Sequence, residues 1–211
     1  MHLSRKLPLT RRRPHFALLP AARRVENHSM SAAAPRHNIV LIGFMGSGKS
    51  SIGRLVAGRM GFQFIDTDAL VVERAGTEIS EIFAQGGEEH FRQLETAALE
   101  SLVIFDRCVI ATGGGIVLRE ENRALLKRLG FVIWLTASED VIFERVSRNT
   151  RRPLLQTENP RETVERLIAA RETLYSSTAQ FMLDTTSLAR GDAVEALIGA
   201  ARKAFSCHGA G

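Results

Sequence analysis

Cysteine is nearly absent: Cys108 and Cys207 are the only two in 211 residues. One lies in a strand-like segment and the other in a polar, glycine-ending tail, so neither a disulfide framework nor a metal-ligand spacing is present, which suits a reducing cytosol. Long apolar runs are missing too. The longest, such as Phe131–Leu135, fall far below the roughly 18 residues that cross a bilayer, so no transmembrane helix and no membrane partner are expected. Internal repeats and low-complexity segments are also lacking.

Acidic residues are scarce at one end, and this decides how the charge is read. The chain carries a net +5, of which residues 1–29 supply +6, from seven basic residues against Glu26. The remainder therefore stands at −1 and offers no basic surface for a nucleic-acid partner. Residues 1–35 are read as a disordered basic leader. The leader has no apolar stretch for a secretory signal, but Arg-rich, acid-poor sequence of this kind also resembles an organellar transit peptide. Met30 stands just before the first strand-like segment and is a second candidate start. A cytoplasmic location is expected, with an organelle as the alternative.

From Asn38 onward, short apolar runs alternate with longer amphipathic stretches, the signature of repeated β-α units around a parallel sheet. Strands are expected at Ile39–Ile42, Phe62–Ile65, Val109–Ala111, Phe131–Leu135 and Phe181–Leu183. Helices are expected at Lys49–Met60, Ile79–Phe83, Glu89–Phe105, Glu120–Leu129, Glu139–Ser147, Pro160–Ser176 and Asp192–Phe205. The polar, Arg-rich segment Ser147–Asn159, interrupted by Pro153, reads as a mobile loop. The fold class is α/β in one domain, residues 36–205, with a flexible tail at 206–211.

Gly43-Phe-Met-Gly46-Ser47-Gly48-Lys49-Ser50 fits G-x-x-x-x-G-K-[ST] between a strand and a helix, the context in which that pattern cradles phosphates. Glycines let successive N–H groups turn toward phosphate oxygens, and the helix that follows adds its positive end. Lys49 then neutralises the β and γ phosphates, and Ser50 offers a hydroxyl to Mg²⁺. The motif alone leaves kinase, GTPase and ATP-driven machine open.

Other segments bear on the acceptor. Asp66-Thr-Asp68 places two carboxylates at the end of the second strand, where alternation would point both the same way. Asp66 is assigned to the metal and Asp68 to an acceptor hydroxyl; a solvated strand end with a helix cap is the plainer account. Arg92 and Glu95 lie three apart on one helix face. They form either a surface pair or an arginine held for a substrate carboxylate. Thr112-Gly113-Gly114-Gly115 follows a strand and lets a ligand approach backbone. Arg151-Arg152-Pro153-Leu154-Leu155 lies in the loop that could fold over a nucleotide. Arg171 occurs in Ala170-Arg171-Glu-Thr-Leu-Tyr175.

Taken together, these segments resemble the shikimate kinase family over roughly residues 36–205, in order and in spacing. The resemblance implies a three-layer α/β/α fold of the nucleoside-monophosphate-kinase type, with a five-stranded parallel sheet and a mobile lid. It implies ATP as phosphate donor, Mg²⁺, and transfer to the 3-hydroxyl of shikimate by a monomer. Gly46, Ser47, Gly48, Lys49, Ser50 and Ser51 would hold ATP, with Ser50 and Asp66 on the metal. Asp68 would bind and activate the hydroxyl, Arg92 and Arg171 would clamp the carboxylate, and Gly114 would bind a ring hydroxyl through its backbone. Arg152 would join Lys49 and Asp68 in catalysis from the lid, and Arg145 would stack on adenine, with Arg148 competing for that place. Ser51 and Phe44 stand where the family often has threonine and proline; neither change removes a functional group.

Rival classes lose support. Gluconate kinases share the phosphate loop but not the set Asp68, Arg92, Gly114 and Arg171. No Asn-Lys-x-Asp segment supports a GTPase, and Lys49, Asp68 and Arg152 are all retained, against a catalytically dead binding module.

Overall fold

A computed structural model of the chain describes residues 36–147 and 159–208. The basic leader, the loop residues Arg148, Arg151 and Arg152 to Leu155, and the last three tail residues lie outside the described residues.

The sheet is built from β1 (Ile39–Ile42), β2 (Gln63–Asp66), β3 (Cys108–Ala111), β4 (Phe131–Thr136) and β5 (Phe181–Asp184). Its five strands run parallel in the order β2-β3-β1-β4-β5, with Ile39 opposite both Val109 and Phe131. Parallel strands need covered crossovers, and both faces are covered. Alternation sends Ile39 and Leu41 to one side, against Ile52 and Val56 of α1 (Lys49–Met60) and Leu197 of α7 (Arg190–His208). It sends Val40 and Ile42 to the other, against α2 (Thr67–Ala75), α3 (Ile79–Ser101), α4 (Glu120–Leu129) and α6 (Pro160–Thr178). A smaller apolar cluster joins Phe44 and Met45 to α5 (Glu139–Ser147) and α6 through Ile142, Val146 and Val164. This is the expected three-layer α/β/α architecture. No helix among the described residues is long and apolar enough to cross a membrane.

Two devices fix the central strand that carries the phosphate loop. Gly53 of α1 faces the sheet so closely that a Cβ there would lie 3.0 Å from Leu41 and 3.0 Å from Phe64, so the helix packs almost backbone to sheet. Asn38, fully buried, ties together the starts of three strands. Its Nδ2 donates to Phe105 O and Leu129 O at 2.9 and 2.8 Å, and its Oδ1 accepts from Cys108 N at 2.8 Å. A buried amide with these partners stabilises one register and penalises slips that would strand it.

The structure departs from the sequence reading at the end of β2 and at the end of α7. Helix α2 was not expected. It begins at Thr67, directly after the last residue of β2, so the strand alternation invoked to align Asp66 and Asp68 does not apply. Asp66 is instead the N-cap of α2, its Oδ1 accepting from Asp68 N at 3.2 Å, as a short acid before a helix does. The two helices expected near residues 79–105 are both present, as the two halves of α3 that meet at the non-helical Gly87 (φ 70°, ψ −174°), the second running into a 3₁₀ turn. Helix α7 runs to His208, three residues into the expected tail, because Ala201 and Phe205 continue its apolar face.

Candidate active site

The phosphate loop leaves the end of β1 at the centre of the sheet and opens α1. Gly46 and Gly48 adopt φ of 83° and 96°, a region glycine enters without cost. Gly48 caps α1, and the first turn of the helix contains no acid, so its positive end faces the loop uncompensated. Lys49 is buried and folds back over the loop, donating from Nζ to Gly43 O at 2.7 Å and Phe44 O at 2.8 Å. Arg145 Nη1 donates to Gly46 O at 3.2 Å.

Beside the loop, Ser50 Oγ donates to Asp66 Oδ2 at 2.8 Å. The capping bond that fixes Asp66 therefore also aims its second oxygen at Ser50. A hydroxyl and one carboxylate meeting at one point fit Mg²⁺, which takes one or two protein oxygens and completes its shell with phosphate and water. Consistent with so sparse a donor set, the described residues contain no group of three His, Cys, Asp or Glu side chains able to hold a metal.

The Gly113–Gly115 turn after β3 joins this region to a second one. Thr67 Oγ1 accepts from Gly113 N at 3.2 Å, and Thr112 Oγ1 donates to Leu41 O at 3.0 Å. A Cβ on Gly114 would lie 3.1 Å from Met45 N, so this turn touches the phosphate loop itself. Gly114 O accepts from Arg171 Nη1 at 3.2 Å and from Tyr175 Oη at 2.5 Å. Burial pushes the Tyr175 hydroxyl up to about 12, so it remains a donor. A Cβ on Gly113 would lie 2.5 Å from Asp68 Oδ1 and 2.6 Å from Glu95 Oε1, which places both carboxylates around that Cα.

Arg92 and Glu95 are both buried and bonded at 2.5 Å between Nη1 and Oε2. The plain reading of this pair as a surface contact is thereby excluded. Burial pushes the Glu95 carboxyl up to about 7, with Asp68 pushing the same way and Arg92 and Arg171 pulling it down. Arg92 is raised, the attraction of Glu95 and Glu88 outweighing its own burial.

A family model for shikimate kinase matches residues 45–201. The chain belongs to the shikimate kinase family. Among similar proteins, the shikimate kinase of Thermodesulfovibrio yellowstonii is 49% identical over 161 residues, spanning 76% of this chain and 92% of its own. That of Geobacter metallireducens is 45% identical over 171 residues, spanning 81% and 95%. Among solved structures, shikimate kinase from Acinetobacter baumannii in complex with shikimate superposes with a TM-score of 0.75 at 35% identity, covering 80% of this chain and 93% of that one. The Aquifex aeolicus shikimate kinase gives 0.69 at 31% identity, covering 80% and 98%.

In this family member, a cavity of about 690 Å³ gathers Gly46, Gly48, Lys49, Ser50, Ser51, Asp66, Asp68, Gly114 and Arg145, all marked in the sequence. Its lining also includes Thr185, Leu188 and Arg190, which the sequence reading missed; the turn from β5 into α7 delivers them, and no local pattern marks them. Ser47, within the loop, is fully buried. Arg92 and Arg171 are outside that lining and reach the same turn through Gly115 and Gly114. Arg152 and Arg148 lie outside the described residues. Glu88, bonded to Arg92, was also missed, although its spacing four residues before Arg92 is the readable sign of such a pair.

Proposed function

We infer that the chain transfers the γ-phosphate of ATP to the 3-hydroxyl of shikimate, giving shikimate 3-phosphate and ADP on the route to chorismate and aromatic amino acids. The observation that carries this reading is the contact of the Gly113–Gly115 turn with the phosphate loop. Through it, a nucleotide site and a corner holding two arginines and two carboxylates share one backbone segment.

ATP binds with its phosphates over Gly46–Ser51, where loop amides, the α1 N-terminus and Lys49 oppose the phosphate charge. Ser50 and Asp66 would hold Mg²⁺, which would offset phosphate charge there. The shikimate carboxylate pairs with Arg92 and Arg171, and Gly114 backbone meets a ring hydroxyl. Asp68 accepts the 3-hydroxyl proton as that oxygen bonds to the γ-phosphorus and the bond to the ADP oxygen breaks. Arg152, assigned through the family resemblance, joins Lys49 in stabilising the transferring phosphate, and Arg145 serves the adenine. The enzyme is read as a cytoplasmic monomer, without nucleic-acid or membrane partners; residues 1–35 would redirect it to an organelle if they act as a transit peptide.

The test is ADP release from Mg·ATP by the purified full chain with shikimate, gluconate or a nucleoside monophosphate as acceptor. Stimulation by shikimate alone is the expected result. Stimulation by either other acceptor and not by shikimate overturns the reading.

A further inference from the structure

Arginine presents its donors in a rigid planar fork, so the neighbours of each edge determine what else it can bind. In Arg92, Nη1 donates to Glu95 Oε2. The end between the two Nη atoms faces Gly115 so closely that a Cβ there would overlap both nitrogens. The third edge is the Nε–Nη2 pair, whose parallel N–H bonds match a carboxylate. Both donate to a single oxygen, Glu88 Oε1, at 3.2 and 2.7 Å. The Arg92 side chain is 7% exposed and that of Glu88 52%, so Glu88 reaches inward from solvent and covers this edge.

The backbone at this point is also unusual. Gly87, immediately before Glu88, leaves the helical region at φ 70° and ψ −174°, so Glu88 opens the second half of α3 and is not held by a preceding helical turn. Glu88 is half exposed and bonds a different edge of Arg92 from the one that holds Glu95.

We propose that Glu88 is an internal stand-in for the substrate carboxylate: it occupies the Nε–Nη2 edge of Arg92 in the substrate-free enzyme and is displaced when the acid binds. This rests on the shikimate reading above. A further carboxylate added to a corner that already holds Glu88, Glu95 and Asp68 would meet repulsion, whereas an exchange for Glu88 keeps the local charge constant. The apparent affinity for the acid is then the intrinsic affinity reduced by the fraction of enzyme in which Glu88 has withdrawn.

The experiment compares the full-length chain with Glu88→Gln and Glu88→Ala, measuring KM for shikimate, for its methyl ester and for ATP. Removing the competing charge should lower the KM for shikimate roughly three- to tenfold in both variants, by raising the competent fraction. The KM for ATP should not move, and neither should that for the ester, which carries no carboxylate to compete. An unchanged or raised KM for shikimate in either variant overturns the proposal, because Glu88 would then only support Arg92. An equal gain with the ester overturns it as well. Absence of shikimate turnover by the unsubstituted enzyme would instead sink the underlying reading, and that is known before any variant is measured.

Discussion

The phosphate loop and the acceptor corner lie against each other but are built by opposite means. The loop is eight consecutive residues, Gly43 to Ser50, whose shape comes from backbone conformation and whose Lys49 is bonded to the loop's own carbonyls. The corner draws Asp68 from α2, Arg92 and Glu95 from α3, Gly113–Gly115 from the turn after β3, and Arg171 and Tyr175 from α6. It is held by buried charge. The difference teaches that a side chain removed from the loop should cost chemistry, whereas one removed from the corner should cost chemistry and folding together, since each buried charge there is balanced by its neighbours.

The largest effect that would test this contrast is Lys49→Ala. Turnover should fall on the order of 10²–10³-fold, as it does when a preorganised donor to developing charge is lost. The melting temperature should stay within a few degrees, because Phe44 O keeps its bond from Ser47 N and the glycines still set the loop. Measured together, kcat and melting temperature decide the matter. A protein that unfolds without Lys49 would show that the loop is not self-supporting.

On the corner side, Arg92→Ala and Arg171→Ala should part company. Each removes a charge-assisted partner of the substrate carboxylate, worth about 1.5–3 kcal/mol, and should raise the shikimate KM roughly 10- to 100-fold. Arg92→Ala also leaves Glu95 buried without its ion-pair partner, a loss of about 3–5 kcal/mol in stability. Arg171→Ala should lose only about 1 kcal/mol, since Tyr175 still bonds Gly114 O. Urea unfolding of the two variants checks this, and equal losses would erase the distinction between the regions.

The same contrast explains what the sequence could and could not convey. The loop was legible because its chemistry is contiguous and glycines mark its backbone. The five strands were legible within about a residue because a parallel sheet buries near-continuous apolar runs. Helix α2 was missed because Asp66-Thr-Asp68 reads equally as a strand end or a helix cap, and the capping bond settles it only in three dimensions. Arg92, Glu95 and Arg171 could be named from their order along the chain. Their burial, which converts a surface pair into a structural one, depends on the Gly113–Gly115 turn pressing on them from another element. Thr185, Leu188 and Arg190 reach the cavity solely through topology.

The smallest effect is a pH dependence carried by Glu95. Its carboxyl titrates near 4.5 when unburied and is pushed up to about 7 in the fold, first by burial. The folded state therefore holds the proton more tightly than the unfolded one. The stabilisation this gives is fully present below about pH 4.5 and is lost as pH rises through about 7. That gap corresponds to at most about 3.5 kcal/mol. Glu95→Gln keeps a neutral side chain at every pH and should not share the loss. The stability of the unsubstituted chain relative to this variant should accordingly fall from pH 5 to pH 7.5 and level off above, while the other titrating groups, common to both, cancel. Melting temperatures of the two proteins across that range provide the measurement. A constant difference would mean that Glu95 stays ionised throughout. The corner would then be held by a permanent ion pair with Arg92, and proton uptake would contribute nothing to its stability.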